Sequence, residues 1–286
     1  LGEAAYQAAE ESVRGAEADL KRAEDFRREG VTTDSDVLSI RVHLAGVRQE
    51  AIQRRTQLEV ALAALNVAMG APEDATFTLT TPLMETAYEA PALGESQRSA
   101  VDTRPEARLA LKGLEAARVR QKVARAAYWP EVFVRGVFET DRQEVLNKGG
   151  ANWFFGAGLR WNVFDGMERK ARVAESRHGI DAAEARQRQA ASGVRFEVRR
   201  AWLEWNAVKD RLALARASIA EAEESLRITR DRYANGLSTV TDLLRTEVAV
   251  LGAKTGYLAA LYEQRLAAVR LEAAKGSLNP GSLLFD

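Results

Sequence analysis

One offset constrains this chain more than any other feature. Gly30, Thr33, Asp36 and Leu38 recur as Gly236, Thr239, Asp242 and Leu244, each pair 206 positions apart. The register holds downstream without a gap, pairing Ala61 with Ala267, Leu65 with Leu271, Ala68 with Ala274 and Gly70 with Gly276. Upstream, Ala16-Glu17 pairs with Ala222-Glu223. So many identities at one offset mark a duplication, and the chain must fold as two copies of one unit. Each copy centres on a tight reversal between helical stretches. A glycine ends the first helix, because glycine adopts the left-handed conformation without a Cβ penalty. A Thr-x-x-Asp signal starts the next: the hydroxyl accepts from a free backbone N–H, and the carboxylate suits the positive end of the helix dipole.

Residues 3–29 and 35–69 read as the two arms of the first hairpin. Leu44, Ala51, Leu58 and Leu65 recur every seven residues, flanked by Leu38, Val42, Ala45 and Ile52, which predicts a narrow coiled-coil seam. The second arm makes a rod about 50 Å long at 1.5 Å per residue. Its other face carries Arg41, Arg48, Glu50, Arg54 and Arg55, a solvated surface. Residues 71–101, with Pro72, Pro82, Pro91 and Gly94, read as a mixed connector, with a short strand over Thr76-Phe77-Thr78-Leu79. A helix restarts at Asp102-Thr103-Arg104-Pro105-Glu106, with proline in the first turn where its missing N–H costs nothing, and occupies 102–128. The second hairpin occupies 167–276. Its first arm, Met167 to Tyr233, runs about 100 Å if continuous, with Gly179 and Gly193 marking bends or close helix contacts. The seam of the last rod, 240–275, reads as Leu244, Val248, Leu251, Thr255, Leu258, Tyr262, Arg265 and Val269. Residues 277–286 form an irregular tail.

Residues 129–166 differ from everything else. Val132, Val134, Gly136 and Phe138 alternate with Phe133, Arg135, Val137 and Glu139. Trp153, Phe155, Ala157, Leu159, Trp161 and Val163 alternate with Phe154, Gly156, Gly158, Arg160 and Asn162. Two strands of about ten residues, each with one apolar face, fit an outer-membrane barrel, and Trp129, Trp153, Trp161, Phe138 and Phe164 lie near strand ends as girdle aromatics do. A soluble hairpin packed on a helix has the same alternation, so both explanations stand on pattern alone. The link Thr140–Asn152 reads as a polar loop, and Asp165-Gly166 turns the chain out of the sheet.

The chain has 41 Lys+Arg and 41 Asp+Glu, so no global field draws it to nucleic acid or acidic lipid. It has no cysteine, which excludes disulfides and thiolate sites. No apolar run reaches the length of a transmembrane helix. Nucleophile, base and orienter converge in no pattern, so no enzyme activity is expected. His43 and His178 lie in different helices and read as surface residues; neither metal nor cofactor is expected. Acidic residues stand beside arginines at helical spacings, as Glu224 and Arg227 do, a sign of surface pairing.

The run Arg232-Tyr233-x-x-Gly236-Leu237-x-x-x-x-Asp242-Leu243-Leu244 resembles the hairpin tips of TolC-like outer-membrane efflux proteins. The duplication, Arg104-Pro105-Glu106 and the segment Trp129 to Gly166 are similar to that family too. The resemblance implies a mainly α fold: long antiparallel helical hairpins of the α-barrel type, a transmembrane-type β-hairpin and a small mixed connector. It implies a homotrimeric, passive exit duct in the outer membrane of a Gram-negative-type bacterium, extending into the periplasm. Its partners would be a periplasmic adaptor protein, an inner-membrane pump and outer-membrane lipid. On that basis Asp36, Asp242 and Tyr233 are pore or tip residues. Gly30, Val31, Thr33, Gly236, Leu237, Ser238 and Thr239 form the turns where an adaptor docks. Val132, Val134, Phe138, Trp153, Phe155, Leu159 and Trp161 lie on membrane strands. By default Val31 and Leu237 are read as hydrophobic staples on Val37 and Leu243, with docking as an added role. The match has departures: Arg27 stands where the second copy has Tyr233, and Arg245 occupies a position acidic in the family. Only one β-hairpin is visible, so the resemblance implies the C-terminal majority of a longer protein. The rival reading is a soluble coiled-coil scaffold without a pore, which has no need of the strand pair.

Overall fold

A computed structural model describes residues 1–77, 79–80, 82–141 and 150–279. The elements run α1 (Gly2–Arg28), α2 (Asp34–Met69), α3 (Leu93–Thr103), α4 (Pro105–Ala126), β1 (Glu131–Asp141), β2 (Gly150–Arg160), α5 (Glu168–Ala234) and α6 (Val240–Lys275). They form two compact units, one of residues 1–95 with 198 onward and one of residues 96–197. The mainly α fold of long hairpins with one small strand pair is as the sequence implies.

In the first unit, α1 presents a stripe of small side chains, Ala9, Ala16 and Ala23, all buried. Their size lets α2 approach closely and seat Leu44 and Val47 against Ala16. The buried stripe of α2 is Val37, Ile40, Leu44, Val47 and Ala51, in alternating steps of three and four. Leu44 and Ala51 are therefore on the seam as expected. Leu38, Val42, Ala45 and Ile52 are not: they stand exposed, on a stripe that begins one residue, about 100°, further round the helix.

The same rotation corrects α6. Its buried residues include Val240, Leu243, Glu247, Leu261, Gln264, Ala268 and Leu271, whereas Val248 and Tyr262, expected on the seam, are exposed. Hydrophobicity drew the expected seam through Leu244 and Val248. The helix instead turns two polar residues inward, where each finds partners. Gln264 Oε1 accepts from the backbone N–H of Thr86 at 3.0 Å, and Glu247 joins an ionic cluster described below.

Where α5 and α6 pack, Trp205 fills a pocket of Ala201, Val208, Ala267, Ala268 and Leu271, with Tyr88 meeting its ring edge-on at 5.1 Å. Tyr88 belongs to an irregular strap after α2. The strap needs no sheet because α6 and α5 side chains meet its polar groups. Arg265 Nε donates to Met84 O at 3.2 Å, Trp202 Nε1 to Pro91 O at 3.1 Å, and the Tyr88 hydroxyl to Glu272 at 2.6 Å. Buried Asn66 closes the turn that begins the strap, donating to Glu73 O and Ala75 O at 3.1 and 2.7 Å. The strand expected over 76–79 includes Thr78, which lies outside the described residues; Thr76, Phe77 and Leu79 are not in a strand.

Helix α3 begins at Leu93, inside the range read as connector, and Pro105 starts α4 at its first position as expected. Arg104 holds this junction, pairing with Glu106 at 2.8 Å and with Glu197 on α5. Helix α5 is unbroken from Glu168 to Ala234. Gly179 and Gly193 mark no close contact among the described residues, since an added Cβ at either meets nothing within 4 Å.

Strands β1 and β2 pair antiparallel, with Val132 opposite Leu159, Val134 opposite Ala157, Gly136 opposite Phe155 and Phe138 opposite Trp153. Directly opposed residues share a face, so the two expected apolar faces merge into one. The pairing runs past Glu139 to Asp141 opposite Gly150, and the rest of the expected loop, 142–149, lies outside the described residues. β2 ends at Arg160, so Trp161 is not a strand residue; it follows the strand and its Nε1 donates to Tyr128 O at 3.3 Å.

Candidate functional site: the paired hairpin tips and the strand face

Both tips are built by the same local chemistry. Gly30 and Gly236 have φ of +75° and +69°, the left-handed region that only glycine occupies freely. Each closes a C-terminal motif with two bonds. Val31 N donates to Phe26 O and Gly30 N to Arg27 O in the first copy, as Leu237 N to Arg232 O and Gly236 N to Tyr233 O do in the second. Thr33 and Thr239 then cap α2 and α6 with reciprocal capping boxes. Each hydroxyl accepts from the backbone N–H of Asp36 or Asp242 at 3.2 Å, and each carboxylate accepts in return from the threonine N–H at 3.2 and 3.3 Å. Bonds from Thr33 and Thr239, led by their side chains, hold both carboxyls below the usual aspartate range, so both are charged at neutral pH. Ser238 adds a longer bond to Asp242 at 3.4 Å. The other ends of the repeat match as well: Gly70 and Gly276 cap α2 and α6 at φ +71° and +73°.

One expectation at the tips is overturned. Val31 and Leu237 are not staples: they are 61% and 68% exposed, while Val37 and Leu243 pack into a cluster without them. The staple position precedes the cap directly and is taken by Thr32 and Ser238, which sends the apolar residues outward. Tyr233, a pore or tip residue by resemblance, is buried behind the tip with Ala23, Val37, Ile40, Val240 and Leu243, its ring centroid 6.3 Å from that of Phe26. The cause is visible across the repeat. Where the second copy has Tyr233 and Val240, the first has Arg27 and Asp34, an exposed ion pair. The apolar pair lies where the hairpins meet, and the charged pair does not.

The ionic pairs inside each hairpin obey the same register. Arg48 meets Glu17 at 2.7 Å, and Lys254 meets Glu223 at 3.4 Å, the same two repeat positions with the same sign. Arg41 meets Glu24 at 2.7 Å, and their counterparts Glu247 and Arg230 meet at 2.9 Å with the signs exchanged. Pattern reading missed what surrounds that second pair. Asp19 of α1 and His43 of α2 also close on it, so His43 is a partly buried partner of Glu247 at 3.1 Å, not a surface residue. The seam expected through Leu244 and Val248 leaves Glu247 off the interface, so no pattern in the sequence marked this cluster. His178 is exposed as expected, and Glu224 pairs with Arg227 at 2.7 Å.

On the strand pair, Val132, Val134, Phe138, Trp153, Phe155 and Leu159 share one face, and all six are exposed. The opposite face carries Glu131, Arg135, Glu139, Asn152 and Arg160. Here two glycines make room for aromatic rings: a Cβ on Gly158 would come within 2.5 Å of the Phe133 ring, and one on Gly156 within 2.8 Å of Phe154. Arg160 lies 5.5 Å over the Phe133 ring and 3.7 Å from Glu131. One face is thus bare and apolar up to Thr140 at its end, while the other mixes charged and polar side chains with Phe133, Val137 and Phe154. No helix among the described residues is long and apolar enough to cross a membrane.

One strand pair together with twice-repeated helical hairpins is also the fold of solved outer-membrane proteins, on which the chain superposes. CusC aligns at TM-score 0.80 with 19% identity, covering 97% of this chain and 65% of that one. VceC of Vibrio cholerae aligns at 0.72 with 18% identity, covering 96% and 66%. The open-state MtrE channel of Neisseria gonorrhoeae aligns at 0.68 with 22% identity, covering 96% and 64%. Protein CyaE of Bordetella pertussis is 28% identical over 273 residues, which span 91% of this chain and 56% of that protein. The family profile described as outer membrane efflux protein matches residues 98–277, and the chain belongs to that family.

Proposed function

We propose that this protein is the passive exit duct of a tripartite efflux or type I secretion system. Three copies assemble in the outer membrane, and their helical hairpins reach into the periplasm to meet an adaptor and, through it, an inner-membrane pump. The observation that carries this reading is the bare strand face. Burying an aliphatic or aromatic side chain is worth about 1.5–3 kcal/mol, so leaving six in water forgoes on the order of 10 kcal/mol. A soluble scaffold has no reason to hold such a face open, whereas lipid covers it. On this reading the chain divides into the hairpin 1–70, the connector 71–101, the helix 102–128, the membrane β-hairpin 129–166, the hairpin 167–276 and the tail 277–286.

At the tips, Asp36 and Asp242 occupy equivalent positions, so a three-fold assembly brings six carboxylates round one axis. Charges gathered within about 8 Å interact strongly at physiological salt and favour cations. Leu237, exposed in a groove with Ile228, Thr229, Ser238, Asp242 and Thr246, and Val31, exposed at the first tip, offer the adaptor its apolar foothold. Tyr233 supports the tip from inside. Replacing Asp36 and Asp242 together by Asn keeps the cap but removes the charge. Single-channel recordings of the full-length double variant are expected to show reduced cation preference with normal trimer assembly. Unchanged selectivity with only a lower melting temperature would leave these residues as helix caps.

A further inference from the structure

One feature has no part in the duct reading: a buried polar cluster behind the tips, drawn from all four helices of the first unit. Asp19 comes from α1, His43 from α2, Arg230 from α5 and Glu247 from α6. Asp19 and Glu247 are almost fully buried, and a single nitrogen, Arg230 Nη2, lies 2.9 Å from an oxygen of each. Two carboxylates on one nitrogen are necessarily close neighbours, and like charges that close in a buried site do not both ionise freely. Arg22 approaches Asp19 from the same helix at 3.3 Å but is largely exposed. His43 Nε2 faces the other Glu247 oxygen at 3.1 Å, and Arg230 Nε is buried with no hydrogen-bond partner. Lys254 and Glu11, paired at 3.1 Å, line the groove next to Arg230 and Glu247, and Tyr233 lies towards the tip.

The duplication shows that this cluster serves the joint and not the hairpin. At the repeat positions of Arg230 and Glu247, the first copy has Glu24 and Arg41, an exposed pair. At the positions of Asp19 and His43, the second copy has Ser225 and Ala249, both exposed. The extra acid and the histidine occur only where one hairpin meets the other.

We propose that Asp19 and Glu247 share one proton across the joint, and that this proton clasps the first hairpin to the second. Neutral Asp19 donates to ionised Glu247 while Arg230 bridges both. When the proton leaves, two carboxylates face each other across α1 and α6 with one guanidinium between them, and the joint loosens. Burial foremost, then the neighbouring Glu247, push the Asp19 carboxyl up to about 7. Burial also acts to raise Glu247, but bonds from His43, Asp19 and Arg230 outweigh it and hold that carboxyl down at about 2. The sign follows from these directions. The part of the clasp due to neutral Asp19 is complete below its ordinary 3.8 and is lost as pH rises through about 7. The part due to ionised Glu247 is present above its ordinary 4.5 and lost as pH falls towards about 2. Any effect on conduction rests on the tips being the duct entrance; the clasp itself does not.

Residues 1–286 contain no cysteine, so spin labels at Lys21→Cys on α1 and Val248→Cys on α6, both exposed, report on this joint once any cysteine outside them is replaced. In the full-length trimer, pulsed dipolar distances should show a longer-distance population rising about tenfold from pH 6 to pH 8, as a group titrating near 7 goes from about a tenth to about nine tenths ionised. Asp19→Asn keeps a donor that does not titrate and should hold the short distance at both pH values. His43→Gln should leave the step in place. Glu247→Gln removes the like charge and should move the midpoint below about pH 6. A pH-independent parent distribution overturns the proposal. So does a step that survives Asp19→Asn, one that vanishes in His43→Gln, or a midpoint unmoved in Glu247→Gln.

Discussion

Trp205→Ala is expected to cost about 3–5 kcal/mol, the range for removing a large aromatic from a packed core. Trp205 is among the largest fully buried side chains and joins α5 to α6 through Ala201, Ala267, Ala268 and Leu271. The alanines around it cannot grow into the space, so the cavity persists. Tyr88 loses its edge-on partner and the strap loses its anchor on the helices. The melting temperature of the purified full-length protein should fall sharply, and limited proteolysis should begin in residues 82–92. Trp205→Phe should lose much less. A drop in stability with the strap still protected would mean that Tyr88 is held by Glu272 alone.

The second large effect belongs to the strand face. Val134→Arg, placed on the bare apolar face opposite Ala157, is expected to cost about 2–4 kcal/mol at mid-bilayer depth. Arg135 is the adjacent residue on the other face, and Arg135→Gln should be nearly neutral. Refolding of the two full-length variants into lipid vesicles, titrated with urea, measures the difference. Equal tolerance on both faces would remove lipid from the account.

What the sequence made legible was what local chemistry determines. Gly30, Thr33 and Asp36 fix a tip among themselves, whatever packs around them, and their recurrence 206 positions on names the second tip. Strand alternation is equally local, which is why both faces were readable although the ends were one to four residues out. Helix rotation was not readable. In α2 and α6 apolar residues occupy more than one stripe, so composition left the buried stripe undecided and packing against α1 and α5 chose it. The same ambiguity hid Glu247: a seam drawn through Leu244 and Val248 places it off the interface, and only the true rotation carries it inward to Arg230, Asp19 and His43. Val31 and Leu237 were misjudged for a different reason. A staple requires the residue directly before the cap, and one position of difference turns an apolar side chain from core to solvent.

The central claim is that the strand face meets lipid and that the assembled protein conducts. Full-length protein purified in detergent and added to planar lipid bilayers tests both at once. The account predicts stepwise insertion with a uniform, ion-conducting unit from a three-copy assembly. Protein that stays soluble and folded without detergent, and leaves the bilayer silent, would contradict it and return the chain to a scaffold.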